Sequence, residues 1–75
     1  MSKEKLLERI ETRRDVLGGK PIIKGTRIPV ELILKHIANG WEFEKICNEY
    51  GLEKADIRAA VLYAEKVLEG EEVFI

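Results

Sequence analysis

The chain carries one cysteine, one histidine, one tryptophan and two prolines in 75 residues. A single thiol, Cys47, excludes an internal disulfide framework, and one cysteine with one histidine falls short of the four ligands of a structural zinc site. Long apolar runs are missing as well. The longest, Ala59 to Ala64, is far below the roughly 18 residues a membrane span needs, and no charged-then-apolar opening resembles a secretion signal. One cytoplasmic domain over residues 1–75 is expected, with no cofactor. A core this small leaves stability marginal, so self-association is the staple left over.

Net charge is also nearly absent, at −1, which gives no overall pull toward nucleic acid. The distribution is uneven. Residues 1–35 hold nine Lys/Arg against five Asp/Glu, a net of +4, whereas residues 36–75 hold four against nine, a net of −5. Any contact with phosphate is therefore expected from the amino-terminal half.

Both prolines and three of the six glycines fall in one stretch, Gly18-Gly19-Lys20-Pro21-Ile22-Ile23-Lys24-Gly25-Thr26-Arg27-Ile28-Pro29-Val30. Glycine permits positive φ and proline fixes φ, so a shaped loop rather than a regular element is expected there. Four parts follow: an arm at 1–17, a glycine/proline loop at 18–29, a three-helix unit at 30–69 and a tail at 70–75. In the arm, Ser2 caps a short helix with Leu6, Leu7 and Ile10 on one stripe. Alternation over Arg9 to Arg13 predicts a strand laid against Thr26-Arg27-Ile28, a minimal two-stranded β ribbon.

Pro29 opens a helix over 30–39 with Val30, Ile33, Leu34, Ile37 and Ala38 at helical spacing, stopped by Asn39-Gly40. Trp41 is read as a packing anchor. Phe43, Ile46, Cys47 and Tyr50 form the stripe of a second helix that Gly51 ends, and Lys54 to Glu69 forms the last, with Ile57, Val61, Ala64 and Leu68 on one face. The fold class is thus mainly α, a small helical bundle containing a helix-turn-helix. In that motif Gly51 opens the turn, Leu52 plugs it, and Ile57 and Ala60 face back toward Ile46 and Cys47. The outward face would present Glu53, Lys54, Ala55, Arg58, Ala59 and Leu62 to a DNA groove, with Arg58 reading guanine and Lys54 reaching a phosphate. The same pattern also fits a three-helix core that meets no DNA.

Ala59 to Ala64 is apolar all round, which calls for cover on two faces. A homodimer packed through Ala59, Leu62 and Tyr63 is expected, with Val73, Phe74 and Ile75 as a further contact for a partner. Burial of Leu62 in that interface would compete with its use in a groove.

The glycine loop fails as a phosphate-binding P-loop. Its order is Lys-Gly-Thr, Gly19 and Gly25 are one residue too far apart, and Pro21 removes a donor. What remains are Lys20, Lys24 and Arg27, with Arg13 and Arg14 near in sequence, as contacts for DNA backbone or an acidic partner. His36 lies opposite the apolar stripe of its helix and is expected in solvent, while Cys47 reads as an inert filler. With Ser2, Thr12 and Thr26 the remaining hydroxyl nucleophiles, no nucleophile, base and orienting group assemble, and no enzyme is expected.

The GGKPIIKGTRIPV stretch and the helix after it resemble the opening signature of the domain of unknown function family 433. Ile37-Ala38-Asn39-Gly40, Glu44-Lys45-Ile46, Glu49-Tyr50, Leu52 and Asp56 to Ala60 through Tyr63-Ala64 are similar to its later pattern. The resemblance implies a compact helical domain, commonly dimeric, antitoxin-like, with a PIN-like ribonuclease toxin as partner in several lineages. Where the family commonly caps its second and third helices with Ser or Thr, this chain has Glu42 and Glu53, at a cost of about 1 kcal/mol each. A DNA-binding antitoxin or transcriptional regulator is the leading expectation. A protein-interaction module without DNA binding is the alternative.

Overall fold

The computed structural model describes residues 2–70. Its elements run α1 (Lys3–Leu7), β1 (Ile10–Thr12), β2 (Pro21–Ile23), α2 (Val30–Ala38), α3 (Phe43–Tyr50) and α4 (Lys54–Leu68). The mainly helical class with a two-stranded ribbon is as the sequence implies. Ser2 caps α1, its hydroxyl accepting from the Lys5 N–H at 3.2 Å. Pro29 is the N-cap of α2, with ψ 147°, one residue earlier than first helical position.

The ribbon has a different second strand from the one expected. β1 pairs antiparallel with β2, in the register Ile10 to Ile23 and Thr12 to Pro21, and not with Thr26-Arg27-Ile28. Two turns produce this. Leu17, Gly18 and Gly19 all take positive φ, in a short 3₁₀ turn that brings the chain back along β1. Gly25 then takes φ 77° in a second, tighter turn, so residues 28 and 29 fold back on β2 itself through the Ile22–Pro29 bridge and the Ile23 N–H to Ile28 C=O bond at 2.9 Å. The strand in this stretch therefore lies at Pro21–Ile23, where a shaped loop was expected. The prolines sit at the strand's first residue and on the returning limb, where a missing donor is tolerated.

A methyl group on Gly25 would meet no heavy atom within 4 Å, so only the backbone opposes it. Gly25→Ala is expected to cost about 1 to 2 kcal/mol, the penalty of a left-handed L-residue. A thermal melt checks this, and an unchanged Tm would show that the turn relaxes freely.

Beneath the ribbon, Leu6, Ile10, Ile23, Val30, Ile33, Ile46, Ile57, Ala59 and Ala60 form one buried cluster, with Trp41, Cys47, Leu52, Leu62 and Tyr63 partly buried against it. The core-facing stripe of α4 is shifted from the expected one. Ile57 is fully buried, but Val61 and Leu68 are exposed, at 42% and 87%. Ala59 and Ala60 are completely buried instead, because α1 packs along α4 and brings Leu6 into the same cluster. The chain's own first helix thus covers the Ala59 side of the Ala59–Ala64 run, while Val61 leaves another side open to solvent. Ala38, placed on the α2 stripe by periodicity, is exposed.

Candidate functional site

The helix-turn-helix corner is built as its residues imply. α3 ends at Gly51, whose φ of 67° turns the chain, and its N–H bonds the Cys47 carbonyl that the helix would otherwise leave open. Only Gly51, Leu52 and Glu53 separate the two helices. Leu52 is half-buried in the turn, and Ile46, Ile57 and Ala60 meet under it in the core.

The start of α4 is held by a feature that local patterning did not disclose. Asp56, 9% exposed, accepts from the backbone N–H of Glu53 at 2.9 Å through Oδ2, a hydrogen bond that secures the helix entrance. Through Oδ1 it takes a 3.0 Å hydrogen bond from Arg9 Nη1. Glu53 Oε1 stands 3.6 Å from the same nitrogen. The hydrogen bond to Asp56, opposed by burial and reinforced by the charges of Asp56 and Glu53, raises the Arg9 pKa above its already high ordinary value. Neither Arg9 nor Asp56 was singled out from the sequence. Forty-seven residues separate them, and no spacing rule links an arm arginine to a helix carboxylate. The contrast with Glu42 is direct, since no side chain caps α3.

Of the expected groove-facing residues, Lys54 and Arg58 are exposed, while Ala55 and Leu62 are half-buried. Ala59 is enclosed under α1 and available neither to a groove nor to a second copy. Val61 and Glu65 take its place, so the exposed stripe of α4 reads Lys54, Arg58, Val61 and Glu65. Lys3, from α1, lines an open hollow of about 450 Å³ together with Phe43, Arg58, Val61 and Glu65.

The loop cations do not gather in one place. Lys24 and Thr26 line a cleft of about 430 Å³ with Arg9, Gly51, Leu52, Glu53 and Asp56, which sets the hairpin tip against the helix-turn-helix corner. Lys20 lies elsewhere, its Nζ 2.7 Å from Glu31 Oε1 beside Pro21. Arg13 stands 3.6 Å from Asp15, and Arg14 is exposed. Lys24, Arg27, Lys54 and Arg58 are exposed and form no ion pair with a described residue.

On the other flank of α4, Tyr63, Ala64, Val67 and Leu68 form with Pro21, Val30 and Leu34 a groove of about 320 Å³. Leu62, the other expected interface residue, faces the Arg58 hollow instead. Val73, Phe74 and Ile75 lie outside the described residues. His36 is not in solvent as expected. It is half-buried, stacked on Trp41 with ring centroids 3.8 Å apart, and its Nε2 lies 2.7 Å from the Tyr50 hydroxyl. Lys45 Nζ sits 4.2 Å from the Trp41 ring. The aromatic cluster ties the end of α2 to α3, a packing role for both Trp41 and His36.

Among the described residues no group of three His, Cys, Asp or Glu could hold a metal ion. No helix in that range is long and apolar enough to cross a membrane.

The chain is 36% identical over 59 residues to the uncharacterized protein y4eO of Sinorhizobium fredii (strain NBRC 101917 / NGR234), an alignment covering 77% of this chain and 27% of that protein. It therefore spans about a quarter of that relative's length. A crystal structure of a DUF433 member from Anabaena variabilis ATCC 29413 superposes with a TM-score of 0.77 at 31% identity, covering 89% of this chain and 67% of that one. Residues 10–64, from the first strand through Ala64, match the model of the family described as protein of unknown function (DUF433). This chain belongs to the DUF433 family.

Proposed function

We propose that this protein is a DNA-binding regulator of the antitoxin type, a homodimer that meets DNA through its α3–α4 pair. The observation that carries the reading is the three-residue turn at Gly51 with Lys54 and Arg58 exposed, and in no ion pair with a described residue, on the face of α4 it projects. Residues near the N-terminus of a second helix are the ones that reach base edges in such a motif. Arg58 supplies a bidentate donor for guanine, and Lys54 a phosphate contact. Glu53, whose side chain is 77% exposed, keeps a negative charge at the corner, so nonspecific attraction is weak and affinity depends on correct docking. The mechanism is occupation of an operator, with no bond made or broken. The apolar groove between α2 and the end of α4, lined by Tyr63, Ala64, Val67 and Leu68, supports docking of a second copy there, since Ala59 is fully buried.

Binding to a duplex of the chain's own promoter, followed by fluorescence anisotropy, tests this. Affinity is expected to fall steeply with salt. Arg58→Ala is expected to cost about 1 to 3 kcal/mol and relax preference at one base pair, whereas Lys54→Ala weakens all sequences alike. A folded protein that binds no duplex at low salt would eliminate the regulator.

The groove also supports the second reading, a protein-interaction module without DNA binding. An apolar trough flanked by Val67 and Leu68, 50% and 87% exposed, suits a partner protein as well as a second copy. The duplex-binding assay separates the two, and co-expression with the neighbouring gene product tests the antitoxin role. A stable complex with a PIN-like ribonuclease that restores growth supports the antitoxin role, and a neighbour that neither resembles a nuclease nor co-purifies removes it.

A further inference from the structure

Arg9 is hydrogen-bonded through both its backbone and its side chain, to partners at the hairpin tip and at the start of α4. Its carbonyl accepts from the Lys24 N–H at 2.8 Å, while its guanidinium holds Asp56 at the entrance to α4 at 3.0 Å. The hairpin tip is stiff in its own right. The Gly25 N–H donates to the Glu11 carboxylate at 2.8 Å, the Thr26 hydroxyl donates to the Ile23 carbonyl at 2.7 Å, and its oxygen accepts from the Ile28 N–H at 3.0 Å. A tip bonded in this way rests on the core through Ile10 and Ile23, and Arg9 adds the polar tie between its base and the first turn of α4, which holds Lys24 on the side of the corner. Lys24 lines the cleft at the corner and carries no ion pair with a described residue.

We propose that Arg9 is a positioning residue that sets Lys24 beside the α3–α4 corner, so that the hairpin tip grips a phosphate flanking the groove that α4 enters. Lys20, paired with Glu31 at the far end of β2, takes no part. The inference rests on the DNA-binding reading and gives that surface two limbs, a helix that reads and a hairpin that clamps. Arg9 itself stays on Asp56 and touches no nucleic acid.

The test measures binding of the promoter duplex over a salt series for the full chain, Lys24→Ala, Arg9→Gln and the double variant. Each is first shown by circular dichroism to be folded at the assay temperature. Lys24→Ala is expected to lower the slope of log affinity against log salt by about 1, as one lost phosphate contact does. Arg9→Gln is expected to forfeit the same increment, and the double variant to lose nothing more. Arg9→Lys, which keeps a cation beside Asp56, should retain the wild-type slope. Losses that add in the double variant, or an unchanged slope in Lys24→Ala, overturn the inference while Arg58-dependent binding leaves the DNA reading standing. Wild-type protein that binds no duplex overturns both. If Arg9→Gln melts below the assay temperature, the whole series is run at a lower temperature at which every variant stays folded.

Discussion

Ile57→Ala is expected to lower the free energy of unfolding by about 3 to 5 kcal/mol. The side chain is fully buried at the point where α4 meets Ile46 under the Gly51 turn, and it shares its cluster with residues from α1, both strands, α2 and α3. Truncation removes buried methylenes and leaves a cavity that so many converging elements cannot all collapse to fill. A domain of this size has a total stability of only roughly 4 to 11 kcal/mol, so the variant should be largely unfolded at modest urea concentrations. Val61→Ala, four residues later on the exposed stripe, is the control and should cost less than about 1 kcal/mol. Equal effects at the two positions would show that the buried face of α4 has been misplaced.

Asp56→Ala should be the second most costly change, at about 2 to 4 kcal/mol in the same urea titration. It removes the nearer of the two carboxylates at Arg9, leaving only Glu53 at 3.6 Å, and strips the Glu53 N–H of its acceptor at the helix entrance. Full burial of both charges would place the loss higher. The Arg9 side chain retains 27% of its exposure, so water recovers part of the unpaired charge. Asp56→Asn keeps an oxygen for Glu53 and should lose less. The pH dependence has a definite sign. Because the Arg9 pKa is raised, its contribution is fully present below its unfolded value and fades only as pH rises through the folded one, far into the alkaline range. Little screening by salt is expected, since Asp56 is 13% exposed in its side chain. A loss below about 1 kcal/mol would mean that the pair decorates the surface of the fold.

Helices α2, α3 and α4 were legible because their signals are local. Gly40 and Gly51 take the left-handed conformation expected of helix stops, and the Phe43, Ile46, Cys47, Tyr50 stripe needs only a period of 3.6. The family signature over the glycine/proline stretch was legible for a related reason, since its prolines and glycines specify backbone angles residue by residue. Among candidate site residues, Lys54 and Arg58 were legible as exposed because they are charged, whereas Ala55, Ala59 and Leu62, given to the same face, are buried or half-buried.

What faces those helices had no such signal. Periodicity shows that Ala59 to Ala64 needs two covers but not whether α1 or a second molecule provides one, and the short, weakly patterned α1 gave no hint that it would. The partner of β1 depended on two turns whose positive φ values could be expected from glycine but whose net direction could not. His36 is half-buried and not in solvent because Trp41 and Tyr50 reach it from outside its own helix. By itself, then, the sequence determined the helices, their stops, the corner between α3 and α4 and the family, all products of short-range backbone and side-chain preference. Only tertiary structure decided which face of α4 is buried, which cations stand beside the corner, and that Arg9 joins Asp56, because those outcomes are set by contacts between residues far apart along the chain.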